Sequence, residues 1–73
     1  MDRCVLQRQL QMAEDLVQRL KENIAFQGRM IATLERGGHD VRAAKMFLKR
    51  LEASHTRHLA DRDRLFMQLA NRS

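Results

Sequence analysis

The residues of this 73-residue chain whose types and spacing come nearest to chemistry are His55, His58, Asp61 and Arg62. Histidines at i and i+3 lie close enough on a helix to share a metal ion, and helix bundles do host such sites in their cores. Those sites draw further ligands from facing helices. If the chain folds back on itself at its glycine pair, the positions across from these residues are Leu20, Val17 and Ala13, which can neither ligate a metal nor complete a nucleophile triad. His55, His58 and Arg62 therefore read as polar members of an otherwise apolar helix contact, serving packing, register or a partner-binding notch. No catalytic residue, metal or cofactor is expected, and the chain reads as non-enzymatic.

A second constellation is cationic. Arg42, Lys45 and Lys49 form one row in the second half of the chain, and Arg50, Arg57 and Arg64 form another at a spacing of seven. A basic helix face can track a phosphate backbone, with strongly salt-dependent binding. Glu52, Asp61 and Asp63 interrupt the rows, and the chain has no tyrosine or tryptophan to stack on bases. A solvated face with i,i+4 pairs is the simpler reading; Arg42, Lys45 and Lys49 are the contacts expected if nucleic acid does bind.

The elements that carry these residues follow from the apolar spacing. Leu6, Leu10, Ala13, Val17, Leu20, Ile24, Gln27, Ile31 and Leu34 step by four and three, the a/d seam of a heptad repeat with one polar member. Val5, Met12, Leu16, Phe26 and Met30 widen the stripe on one flank to roughly 160°. Arg8, Asp15, Glu22, Arg29 and Arg36 recur every seven residues on the opposite, solvated side. After Gly37 and Gly38 the seam resumes with Val41, Ala44, Leu48, Leu51, His55, His58, Arg62, Leu65 and Leu69, edged by Phe47, Leu59 and Phe66. Glycine can end a helix in the left-handed conformation, and Asp40 can accept hydrogen bonds from the first amides of the next. The expected architecture is all-α: one antiparallel hairpin over residues 1–73, with helix 1 at about 2–36, a turn at 37–39 and helix 2 at about 40–71. Pairing about the glycines sets Leu34 by Val41, Ile31 by Ala44, Ile24 by Leu51 and Leu6 by Leu69.

Composition agrees. The chain has no proline and only three glycines, and its aromatic content of 4% is far too low for a small sheet protein. A domain this short buries only about 60% of its unfolded surface, leaving little core for an enclosed pocket. Of the net charge of +5, residues 1–36 contribute six cations against five anions and residues 39–73 eight against four. One cysteine, Cys4, excludes an internal disulfide, and it reads as an inert residue near a fraying end. No run of about 18 apolar residues could span a bilayer, and the N-terminus turns charged too early for a signal peptide. A reducing cytoplasm is the expected compartment.

Two rods touching along one line leave most of such a stripe in water, and an exposed apolar surface of that length marks an association site. The expectation is a homodimer or higher oligomer, most simply a two-fold dimer forming a four-helix bundle, with another protein as a further partner and no membrane. Its interface is expected to draw on Leu10, Met12, Leu16, Val17, Leu20, Ile24, Phe26, Met30, Leu51, Leu59 and Phe66. Met12, Met30, Met46 and Met67 read as core filler, and Gly28 as a weak point or close approach within helix 1.

Leu34-Glu35-Arg36-x-Gly38-x-Asp40 and His58-x-x-Asp61-Arg62, within a match over roughly residues 24–69, resemble a group of short uncharacterised proteins of rhizobial and related alphaproteobacteria. The resemblance implies a helical hairpin closed by a Gly-x-Asp turn and carries no activity, since the function of that group is unknown. His55 departs from it, standing where the group has glutamine. In form alone the chain is also similar to the plasmid repressor-of-primer hairpin dimer, which binds RNA.

Overall fold

The computed structural model describes residues 2–71, so the outermost positions of the expected 1–73 hairpin lie outside the described residues. It contains two helices, α1 over Arg3–Arg36 and α2 over Arg42–Asn71, packed along each other as an antiparallel hairpin. The molecule measures 54 × 14 × 13 Å, and its radius of gyration of 16.6 Å exceeds the roughly 11 Å of a compact chain of this length. No described helix is long and apolar enough to cross a membrane.

The heptad seam is what the two helices share. Every seam position from Leu6 to Leu34 and from Val41 to Leu69 is buried or half-buried. Away from the seam, only Leu16, Gly28, Ser54, Leu59 and Asp61 among the described residues are also partly shielded.

The turn is built by backbone hydrogen bonds. The Gly38 amide donates to the Glu35 carbonyl and the His39 amide to the Leu34 carbonyl, both at 3.0 Å. This is a Schellman closure, and it requires a left-handed residue between the last helical residues and His39. Gly38 is that residue, with φ at +78°. Helix α2 begins two residues later than the spacing suggested. Its first backbone bond runs from the Lys45 amide to the Val41 carbonyl at 2.9 Å, and the Asp40 carboxylate accepts the Arg42 amide at 3.0 Å. Asp40 thus satisfies a free amide of the first turn from one residue outside the cap position. Beyond the turn, Lys45 reaches Glu35 across the helix pair at 3.4 Å.

Two glycines should respond in opposite directions. Gly38→Ala forces a Cβ into the left-handed region and should lower stability by about 1 kcal/mol. A Cβ at Gly28 would meet nothing within 4 Å, so Gly28→Ala should raise stability by about 1 kcal/mol through helix propensity alone. Thermal melts followed by circular dichroism would check both, at roughly 4–8 °C per kcal/mol for a domain of this size.

Candidate interaction surface

A two-helix seam hides little. Among the described residues only Leu6, Val17, Ile31 and Val41 are buried hydrophobes, at 1%, 7%, 5% and 9% exposure. Val5, Met12, Phe26, Met30, Met46, Phe47, Phe66 and Met67 are large, apolar and exposed. The four methionines expected as core filler therefore lie outside the core, because they occupy flank or outer positions and a two-helix contact does not reach that far round either helix. The accessible surface is 5623 Å², against roughly 4,700 Å² for a compact monomer of the same 8.6 kDa. The excess of roughly 900 Å² follows from the elongated 54 × 14 × 13 Å shape.

The exposed apolar surface is organised. On one side of the hairpin an open groove of about 580 Å³ runs between the helices, with Met12, Ala13 and Leu16 on α1 and His58 and Leu65 on α2 supplying its floor and walls. Its rim is charged: Asp15 and Arg19 line it from α1, Asp61 and Arg64 from α2. Arg64 Nη2 holds Asp61 Oδ1 at 3.0 Å, and His58 Nδ1 lies 4.0 Å from the other carboxylate oxygen. A smaller hollow of about 220 Å³ continues the apolar path along α1 through Phe26, Met30, Thr33 and Leu34.

The residues expected at an oligomer interface divide by position. Val17 is taken up by the hairpin's own seam, and Leu10, Leu20, Ile24 and Leu51 are half-buried there. Met12, Phe26 and Met30 stand open at 65%, 50% and 43% exposure, with half-buried Leu16 among them. Leu59 and Phe66 belong to the heptad flank of α2 on the other side. Sequence spacing did not single out the groove rim. Asp15 falls in the solvated row of α1, and only the i,i+3 spacing of Asp61 and Arg64 hinted at a local pair.

The polar seam is present and strained in its bonding. His55, His58 and Arg62 are all half-buried, and His55 Nε2 is cut off from solvent with no hydrogen-bond partner. Arg62 escapes that problem by turning its guanidinium to Asp63, with Nη2 to Oδ1 at 2.9 Å, while its aliphatic stem stays along the seam. Among the described residues no three His, Cys, Asp or Glu side chains stand together as a metal-binding set.

The candidate nucleic-acid contacts are largely committed within the chain. Arg42 chelates the Asp40 carboxylate through Nε and Nη2, the shorter contact being 2.7 Å, and Lys45 pairs with Glu35. The Arg42 side chain, and then its amide, hold the Asp40 carboxyl below its ordinary value of about 3.8, while the same contact raises the Arg42 guanidinium. Lys49 is exposed. No protein family, curated protein or solved structure matches the chain.

Two stability measurements test this description. His55→Leu replaces an unsatisfied buried nitrogen with an apolar side chain in the seam, and should raise stability by about 1–2 kcal/mol in a thermal melt. Asp40 has a folded pKa below its unfolded one, so its contribution is fully present above the unfolded value and is lost as pH falls through the folded value. The difference in melting temperature between wild type and Asp40→Asn should therefore be constant above about pH 5 and shrink as the solution is acidified below about pH 3.8.

Proposed function

We propose that this chain is a non-catalytic, self-associating interaction module: two hairpins join their apolar sides into a four-helix bundle and present outer helical faces to a protein partner. The observation that carries the reading is the set of large apolar side chains left in water along the hairpin, Met12, Phe26, Met30 and Phe47 among them, beside an open groove between the helices. A 54 Å rod bearing Met12, Phe26, Met30 and Phe47 in water gains most by lying against a second rod of the same length. The reading extends to a reducing cytoplasm, which suits the single, exposed thiol of Cys4. Nucleic-acid binding by α2 has weaker support, because carboxylates already neutralise Arg42 and Lys45.

Light scattering at micromolar concentration should return at least twice the chain mass of 8.6 kDa. Leu16→Glu should return the mass of a single chain, since it would bury an unpaired carboxylate at a cost of several kcal/mol. Ala32→Glu, on the exposed solvated side of α1, should leave the assembly intact. A folded wild-type monomer at that concentration overturns the proposal.

A further inference from the structure

We infer, resting on the self-association proposed above, that a second copy of the chain covers the groove side of the hairpin and that the opposite side stays in water. The contact between α1 and α2 is open along both sides. The rows of residues that edge the seam differ between the two.

On the groove side the row beside the seam of α1 is Gln9, Leu16, Asn23 and Met30, and none of them is charged. The matching row of α2 is Phe47, Ser54, Asp61 and Gln68, whose single charge is already held by Arg64 at 3.0 Å. On the opposite side the same rows carry Glu14, Lys21 and Glu35 on α1 and Lys45 and Glu52 on α2. Lys45 reaches Glu35 there across the helix pair at 3.4 Å. Charged rows of this kind edge a two-helix seam that faces solvent, whereas a helix inside a bundle is apolar on the seam and on one adjoining flank.

The exposed apolar side chains follow the same division. Val5, Met12, Phe26, Met30 and Phe47 belong to the groove side, with Phe47 near the level of Met30. On the opposite side Phe66 is the one large exposed hydrophobe among the described residues, and Met46 and Met67 sit on the row of α2 that points away from α1. Arg19, Arg50 and Arg57 stand one row out from the groove-side flank, where their stems can cover the apolar rim while their charged heads stay in water.

The length of this surface selects its occupant. From Val5 to Met30 it runs about 38 Å along α1 at 1.5 Å per residue, so a short segment would leave much of it uncovered. A second hairpin is a rod of the same length, with the same uncharged flank in need of cover. The face is 54 Å long and 14 Å wide, roughly 750 Å², which has room for the ~800 Å² that each partner contributes to a stable interface.

Two substitutions of the same kind on opposite sides of α2 test the assignment. Phe47→Glu and Phe66→Glu each place a carboxylate at a position that is about half exposed in the single hairpin, so neither disturbs the seam. Circular dichroism first establishes that each full-length variant keeps the helix content of the wild type, with Met30→Glu standing in for Phe47→Glu should that variant lose it. In sedimentation equilibrium, Phe47→Glu should raise the Kd for self-association by about a hundredfold or more, while Phe66→Glu should leave it within about threefold of wild type. An associating wild type whose Phe47→Glu variant associates as tightly overturns the groove side and leaves self-association standing. Loss of association in Phe66→Glu overturns it equally, because the opposite side then lies in the interface. A wild type that stays a single chain overturns the underlying proposal instead.

Discussion

Two helices in contact share a line, and a line buries few side chains. The seam of this hairpin runs along its whole length, yet among the described residues it buries only four hydrophobes. Widening the apolar stripe of α1 to roughly 160° brings no further burial within one chain, because a single neighbouring helix covers only the seam and its immediate edges. The groove, the exposed methionines and the large surface area all follow from this one geometric limit. A second pair of helices would relieve it by covering the flank that the first pair leaves in water.

The two ends of the hairpin are secured differently. Near the turn, the left-handed Gly38, the Schellman bonds, the Asp40–Arg42 chelate and the Glu35–Lys45 pair fix the relative height of the helices within a few residues. Toward the other end the seam of α2 turns polar at His55, His58 and Arg62 before Leu65 and Leu69 restore it. Standing in an otherwise apolar seam, these residues give up apolar contact, and one buried imidazole nitrogen goes unsatisfied. The groove opens beside this stretch, where Ala13 is small and the Arg62 head leaves the seam for Asp63. A polar interruption in an apolar contact lowers stability while excluding registers that would bury it against the wrong neighbour.

The legible part of the fold was the part governed by local periodicity. Steps of three and four placed all eighteen seam positions, since a helix contact selects the same angular sector turn after turn. The glycine pair marked the reversal, but which glycine takes positive φ depends on the Schellman bonds to Glu35 and Leu34. The start of α2 slipped to Arg42 because an aspartate can serve a helix amide from more than one position outside the first turn. The interface residues were mixed together in the sequence because hydrophobicity alone does not distinguish Val17, on the seam, from Met12, on the flank. Their difference in exposure, 7% against 65%, comes entirely from angular position. The charged groove rim was least legible, since Asp15 and Arg64 become neighbours of one cleft only after two helices are brought together.

Covering the groove side would not exhaust the apolar surface. Met46, Phe66 and Met67 lie on the outer and opposite flanks of α2, at 59%, 57% and 56% exposure, separated from the groove by the row of arginines. Two of these three residues are methionines, whose unbranched and polarizable side chains adapt to surfaces of differing shape. A residue of this kind contributes little to a bundle core when it points away from it, and much to a contact made with another protein. The hairpin thus divides its apolar residues by angle around each helix: the seam covered within its own fold, and the groove flank and the outer face of α2 left open on either side of the arginine row.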